Sequence, residues 1–184
     1  IGVNQQGGMR LNATGFTQVD VRDFREQIVS MFADDWFLLT AGNGSSFNTM
    51  TCSWGGMGHL WNQPVTFVFV RPQRYTFQFM EAGDRYTVCV FDRSHRSKLE
   101  LCGSVSGRDT DKIARTGLDP VVDAGGAVWF RQARLVMICR KLYARSLESE
   151  GFIDQTLMRS VYPESDYHTM YVGAIERLLI ADRS

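Results

Sequence analysis

Short apolar runs separated by turn-forming residues dominate this chain and predict a mainly β protein. Residues 65–70, for example, are rich in β-branched and aromatic side chains, which is typical of strands. The sequence Gly42-Asn43-Gly44 is typical of a turn, because glycine adopts positive φ at little cost. We predict strands at residues 36–40, 47–53, 65–70, 86–91, 121–122, 127–130, 135–143 and 170–180. Strands of this number and spacing favour a closed or half-closed antiparallel barrel.

Helical patterns are few, and they predict elements packed outside the barrel. Residues 21–32 carry apolar side chains at steps of three and four, so we predict one amphipathic helix there, capped by Asp20. Residues 74–81, after the strand-ending Pro72, are expected to be short and helical at best. The polar region 94–116 is expected to be a loop followed by a short helix. This sparse pattern argues against an alternating βαβ sheet.

The length and composition indicate one ordinary globular domain. The 184 residues suffice for one sizeable core and are few for two. We expect a single domain over residues 1–184, with residues 1–15 flexible or left over from cloning or trimming, and the first residues show no signal-peptide pattern. Lysine plus arginine equals aspartate plus glutamate, 20 each, so no overall charge attracts nucleic acid or an anionic membrane. The apolar runs are also too short to span a bilayer.

Cysteine and histidine usage argues against disulfides and metal sites. The four cysteines form no Cys-x-x-Cys pair, and Cys89 and Cys139 lie inside apolar runs. Buried reduced thiols are therefore expected, which indicates a reducing compartment such as the cytoplasm. The three histidines lie far apart in the sequence with no carboxylate or thiol at ligand spacing, so we expect no metal site.

Residues 47–58 form the first segment whose side chains suit ligand binding. The sequence Asn48-Thr49-Met50-Thr51-Cys52-Ser53-Trp54 joins hydroxyl and amide side chains to a tryptophan, and three glycines follow. Hydroxyl groups offer rotatable donors and acceptors, and glycines let a flat ligand approach the backbone closely. The plainer interpretation is an edge strand with its polar side chains outward, followed by a turn.

Residues 71–76, with the sequence Arg-Pro-Gln-Arg-Tyr-Thr, form the second such segment. Arg74, the Thr76 hydroxyl and nearby backbone N–H groups would form a fork for a phosphate, since a guanidinium pairs with two oxygens at once. A helix that starts near Tyr75 would add its first N–H groups to that anion site. The alternative is a pair of solvated surface arginines, Arg71 and Arg74.

A third segment, Cys102-Gly103-Ser104-Val105-Ser106-Gly107-Arg108-Asp109-Thr110-Asp111-Lys112, completes a specific combination. In this order along the chain, the three segments resemble the flavin reductase-like, FMN-binding split-barrel family, which includes flavoredoxin-like proteins. The resemblance runs from about residue 47 to residue 143, with a weaker echo at 167–173. It implies an antiparallel Greek-key split β-barrel of six to eight strands with a few peripheral helices. It also implies a homodimer with FMN in a cleft at the dimer interface.

The resemblance further implies FMN contacts for a set of polar, aromatic and basic residues. They are Asn48, Thr49, Met50, Thr51, Cys52, Ser53, Trp54, Arg71, Arg74, Tyr75, Thr76, Cys102, Gly103, Ser104, Ser106, Gly107 and Lys112. Residues 50–53 would border the flavin ring largely through backbone groups, and residues 74–76 would hold the phosphate. The loop 104–107 and Lys112 would close over the ribityl chain or the phosphate, although Lys112 also suits the start of a short helix. The sequence departs from the family at Cys52, where a small residue such as alanine is common.

The expected activity is electron transfer from NADH or NADPH through bound FMN to a flavin or another acceptor. Because the cofactor carries out the difficult step, no catalytic acid, base or nucleophile of the protein is expected. No GxGxxG fingerprint occurs, so the nicotinamide would bind on the flavin itself. Two alternatives stay open: an FMN-carrying electron-transfer protein that does not oxidise nicotinamides, and a non-catalytic module for another phosphate-bearing ligand.

Overall fold

The structure, a computed structural model, describes residues 9–11 and 15–182. In this part of the chain the strands are β1 (Met9–Leu11), β2 (Phe16–Val19), β3 (Phe37–Asn43), β4 (Ser46–Cys52), β5 (Gly55–Leu60), β6 (Gln63–Val70), β7 (Arg85–Val90), β8 (Pro120–Val122), β9 (Val128–Phe130), β10 (Leu135–Ser146) and β11 (Thr169–Ala181). The α-helices are α1 (Ile28–Ser30), α2 (Thr76–Ala82), α3 (Arg96–Ser104), α4 (Lys112–Thr116) and α5 (Gln155–Val161).

Nine of these strands form one antiparallel sheet that turns back on itself. The strands follow one another in the order β5-β6-β11-β10-β7-β3-β4, and β8 and β9 form a separate hairpin. The long strand β11 makes this possible because Thr169–Ala174 pairs with β6, whereas Leu178–Ala181 pairs on the same edge with β2, which continues to β1. The two ends of the path, β4 and β5, are consecutive in sequence and joined at Ser53-Trp54. The predicted mainly β antiparallel barrel is confirmed.

Apolar side chains cover both faces of the central strands. In β3, Phe37 and Leu39 point into the barrel, whereas Leu38 belongs to a second apolar cluster between the sheet and the outer elements. The outer cluster takes Leu99 from α3 and Trp129 from β9. Burial on both faces explains why these strands are continuous apolar runs in the sequence rather than alternating ones.

The predicted helix over residues 21–32 is wrong. The segment instead contains a 3₁₀ turn at Val21–Asp23, then α1, then a π-helical turn at Met31–Asp35. The apolar residues at helical spacing still pack against the barrel interior, as Phe24 and Ile28 do. Their spacing therefore reports which side chains meet the core, while tertiary packing selects an irregular backbone path.

Besides β1 and β2, three further elements were not predicted. Helix α3 forms where the sequence predicts a polar loop. It was not predicted because only two of its residues, Leu99 and Cys102, are buried, which is too few for a helical apolar pattern. Helix α5 was missed for the same reason, because no residue of it is buried. The glycines of β5 suit either a ligand's approach or a turn, and the segment instead forms a strand that pairs with β6 along its whole length.

The opening of the chain is partly described. Within the residues expected to be flexible or extraneous, Met9–Leu11 pairs with β2. Residues 1–8 and 12–14 lie outside the described residues. For them the expectation of a flexible or extraneous segment stays a prediction. Among the described helices, none has the length and apolar character needed to cross a membrane.

Candidate functional site

A groove runs past the end of β4 and the turn that follows it. It consists of two adjoining cavities of about 480 and 260 Å³, and the larger one is in the size range of small-molecule sites. The two cavities share Met50, Thr51, Cys52, Ser53, Arg71 and His168. The larger one adds Trp36, Arg74, Leu99, Glu100, Gly103 and Ser104, and the smaller one adds Trp54 and Phe69.

The floor of the groove is apolar and uncharged. Met50 and Cys52 are buried members of the barrel-interior cluster and leave 7 % and 8 % of their surface exposed. Burial raises the pKa of the Cys52 thiol to about 12, although Arg74 and Lys112 lower it, so the thiol is protonated at neutral pH. The Thr51 hydroxyl donates to the Leu99 carbonyl and so ties β4 to α3. This floor suits the flat face of an aromatic ligand better than a polar one.

Two arginines line the groove, and their charges are balanced differently. Arg71 forms an ion pair with Asp166 and donates to the Val161 carbonyl at 3.0 Å. Arg74 donates to the Gly103 carbonyl at 3.0 Å and forms no ion pair within the described residues. Arg74 therefore brings to the groove a positive charge that is not ion-paired among the described residues, which favours an anionic group there. Glu100, the carboxylate in the same lining, pairs with Arg96 at 3.8 Å.

His168 and Trp54 form the aromatic end of the groove. Their rings lie 5.1 Å apart, and 49 % of the Trp54 surface is exposed. The Nδ1 atom of His168 is hydrogen-bonded to the Tyr162 hydroxyl at 2.8 Å. Burial, with a contribution from Arg71, lowers the pKa of His168 from 6.5 to about 4. The imidazole is therefore neutral at physiological pH and presents a flat, uncharged wall.

Acidification is expected to destabilise the protein through His168. Between pH 6.5 and about 4 the unfolded chain binds a proton at this residue and the folded chain does not, so stability falls as the pH falls through that window. Because the ring is partly exposed, we expect a loss on the order of 1–2 kcal/mol. Urea unfolding of the wild type and of His168→Gln at pH 7 and pH 4.5 measures it. His168→Gln should lose less stability than the wild type between pH 7 and pH 4.5. The control His59→Gln, at an exposed histidine, should lose as much as the wild type. Equal losses in the wild type and in His168→Gln would contradict the account.

The structure divides the predicted FMN residues between two regions. Residues 50–54, Arg71, Arg74, Gly103 and Ser104 line the groove. Asn48, Thr49, Tyr75, Gly107 and Lys112 line a separate cavity of about 620 Å³. The remaining three predicted residues line none of these cavities. They are Thr76 and Cys102, both fully buried, and Ser106, whose hydroxyl accepts from the Arg108 N–H.

Thr76 and Lys112 do not face the groove in which Arg74 lies. The Thr76 hydroxyl accepts from Asn48 Nδ2 at 2.7 Å, inside the protein. The Lys112 ammonium donates to the carbonyls of Thr49 and Cys102, both at 2.8 Å, and the residue is only 5 % exposed. Burial lowers the pKa of Lys112 to about 8. The predicted phosphate contacts of these two residues therefore do not fit this geometry, and Lys112 instead joins β4 to the end of α3.

Several groove residues were missed by sequence reasoning. They are Trp36, Phe69, Leu99, Glu100 and His168, together with Asp166, which holds Arg71. Leu99 and Glu100 were missed because α3 was not predicted. His168 lies immediately before β11, and only the fold brings it beside Trp54. Trp36 has a φ of +64°, which is rare for a bulky residue. This unusual angle is visible only in the structure, so the sequence carries no signal for Trp36.

Comparison with known families identifies the chain. A family model described as "Flavin reductase like domain" matches residues 29–184, most of the sequence. The chain belongs to the flavin reductase-like domain family. This membership confirms the resemblance drawn from residues 47–143. A search of curated proteins found no match.

Solved structures of flavin reductase-like proteins share the fold. Flavoredoxin from Methanosarcina acetivorans is 21% identical, with a TM-score of 0.60 over 78% of this chain and 67% of that one. An FMN-binding domain of a flavin reductases-like enzyme from Shewanella baltica OS155 is 13% identical, with a TM-score of 0.65 over 91% and 78%. Nitrilotriacetate monooxygenase component B from Mycobacterium thermoresistibile is 14% identical, with a TM-score of 0.62 over 82% and 71%. At these identities the likeness establishes the fold.

Proposed function

We propose that this flavin reductase-like protein binds FMN in the groove and transfers electrons from NADH or NADPH through it to a flavin or another acceptor. The observation that carries the proposal is the Arg74 guanidinium, which forms no ion pair among the described residues, beside a floor formed by Met50 and Cys52. One of the structural neighbours, the FMN-binding domain from Shewanella baltica, supports FMN as the ligand.

The groove fits the chemical features of FMN. A phosphate dianion requires a cation that is not already neutralised, and Arg74 provides one next to the Ser104 side chain. A flat ring requires an apolar surface, which Met50 and Cys52 provide. Trp54 supplies an aromatic side chain at the other end of the groove. We therefore place the phosphate towards Arg74 and the ring along residues 50–54.

In this proposal the protein positions the reactants and does not react itself. Bound FMN supplies hydride acceptance and one- or two-electron transfer. Arg74 anchors the anionic end, and Asp166 holds Arg71 against the groove wall. Neutral His168 and protonated Cys52 place no additional charge along the ring-binding part of the groove. No general acid or base of the protein is assigned a step.

We further propose a homodimer that covers the groove and operates in the cytoplasm. Trp54 is half exposed, and a second aromatic pair, Trp61 and Tyr143, lies at the surface with ring centroids 6.3 Å apart. Exposed aromatic side chains are enriched at subunit interfaces, which supports the dimer. The four free, buried cysteines support a reducing compartment. Light scattering tests the dimer, and a monomer that binds FMN normally would contradict it.

Rapid-mixing reduction is the test of the proposed activity. The FMN-loaded protein is mixed with NADH or NADPH without oxygen, and loss of the oxidised flavin absorbance is followed. We expect reduction at least 100-fold faster than that of free FMN at the same concentrations, because the groove orients the two rings. A rate equal to that of free FMN with both donors would contradict the reductase activity and would favour an electron carrier reduced by another protein.

A further inference from the structure

The cavity of about 620 Å³ that takes no part in the proposed FMN groove has the properties of a second binding site. It lies beside the beginning of β4, between α2 and the loop that leads into α4. The wall between this cavity and the groove contains the hydrogen bond from Arg74 to the Gly103 carbonyl and the buried Lys112 ammonium. Arg74 faces the groove, and its neighbour Tyr75 faces the second cavity.

The strongest indication of a ligand is the Asn48 side chain. This residue is 7 % exposed and lines the second cavity. Its Nδ2 atom donates to Thr76 Oγ1 at 2.7 Å, whereas its Oδ1 atom has no hydrogen-bond partner among the described residues. The Oδ1 atom is not one of the fully buried unpaired atoms of the described residues, so it keeps accessible surface on the cavity side. Asn48 Oδ1 therefore offers an acceptor to an N–H donor in the cavity.

Gly107 allows the Asn48 amide to occupy this position. A Cβ atom at residue 107 would lie 2.0 Å from Asn48 Oδ1, and it would also crowd the Tyr75 ring at 3.2 Å. The glycine thus leaves room for the amide oxygen and for the aromatic ring beside it. Any side chain at this position would have to displace one of the two.

Aromatic and cationic groups surround the free acceptor. Tyr75 and Phe79 pack edge to face with ring centroids 5.2 Å apart, and Phe47 lines the same cavity. The Arg108 guanidinium lies 5.1 Å from the Tyr75 ring centroid, is exposed, and forms no ion pair within the described part of the chain. Of the two carboxylates at the cavity, that of Asp111 accepts from the Ala114 N–H at 2.9 Å, and that of Asp109 is exposed.

We propose that this second cavity binds an adenine nucleotide. The base stacks against Tyr75 and Phe79, since aromatic side chains recognise the π-face of a base. The 6-amino group donates to Asn48 Oδ1, and the 5′-phosphate pairs with Arg108. Because Asp109 partly offsets the charge of Arg108, we expect modest affinity, with a Kd of about 0.1–1 mM for AMP.

Calorimetric titration with AMP tests the site, and it is done on the wild-type protein saturated with FMN. We expect one AMP per chain with an affinity independent of FMN. Tyr75→Leu and Arg108→Gln should each weaken AMP binding by about 10-fold, and Arg115→Gln, an exposed arginine on α4, should not. Purine riboside 5′-monophosphate, which lacks the 6-amino group, should bind at least 5-fold more weakly because Asn48 Oδ1 then stays unpaired.

The outcomes separate this inference from the FMN proposal. No AMP binding at 5 mM, or AMP binding that is competitive with FMN, would overturn the second site and leave the FMN groove intact. The nucleotide could be free or the adenylyl part of the electron donor. If AMP slows reduction of FMN by NADH but not by reduced nicotinamide mononucleotide, the donor occupies the site. If AMP binds and slows neither reaction, the site is specific for the free nucleotide.

Discussion

Replacing Arg74 by alanine is expected to weaken FMN binding by about 10- to 150-fold. The guanidinium is the cation of the groove that no carboxylate neutralises within the described residues, and a hydrogen bond to a charged group contributes about 1.5–3 kcal/mol. The loss should appear as faster release of FMN, because the anchoring contact opposes dissociation. Fluorescence titration with FMN measures the affinity.

Riboflavin and a second arginine variant provide the controls for Arg74. Riboflavin lacks the phosphate, so its affinity should be the same for the wild type and for Arg74→Ala within about twofold. Arg115→Ala removes an exposed arginine of α4 and should bind FMN as the wild type does. If Arg74→Ala lost riboflavin and FMN affinity equally, the damage would be to the groove wall at Gly103 and not to a phosphate contact.

Replacing Lys112 by methionine is expected to lower the free energy of unfolding by about 2–3 kcal/mol. The ammonium donates to carbonyls of β4 and α3, and its loss removes both of these charge-assisted hydrogen bonds from a buried position. Methionine also removes the desolvation cost of burying the ammonium. The expected loss of stability is therefore smaller than the sum of two charge-assisted hydrogen bonds. Chemical denaturation monitored by circular dichroism measures the change.

The exposed neighbour of Lys112 gives a matched comparison. Arg115→Met removes a positive charge from the same short helix and should change the free energy of unfolding by less than about 0.5 kcal/mol. If Lys112 held a phosphate instead of joining two elements, its substitution would reduce FMN affinity and leave stability nearly unchanged. That pattern would contradict the position assigned to it.

The sequence predicted the barrel because its strands are defined by local composition. The runs that became β7 and the first half of β10 are apolar and buried on both faces. The run that became β6 is rich in β-branched and aromatic residues, and its buried and partly buried residues largely alternate. Elements with few buried residues were not predictable in this way. Helix α3 has two buried residues, and the segment around α1 follows an irregular path that only the packing of Phe24 and Ile28 explains.

The groove was predicted in part for a similar reason. Residues 50–54 are contiguous, and Arg71 and Arg74 are close in sequence, so local sequence was enough to find these groove-lining residues. The sides to which Arg74 and Tyr75 point depend on the start of α2, and the partners of Lys112 lie 63 and 10 residues away in sequence. His168 and Asp166 reach the groove through contacts with residues about 100 positions earlier, such as Asp166 with Arg71. Spacing along the chain does not encode such contacts.

The central claim is that the groove holds FMN, and retention of the cofactor tests it most directly. Purified protein is incubated with excess FMN, freed of unbound flavin by gel filtration, and examined by visible absorbance, with riboflavin treated in parallel. The account predicts about one FMN retained per chain, little riboflavin, and loss of the retained FMN in Arg74→Ala. A spectrum of protein alone after FMN treatment, from a protein that is folded by circular dichroism, would contradict it.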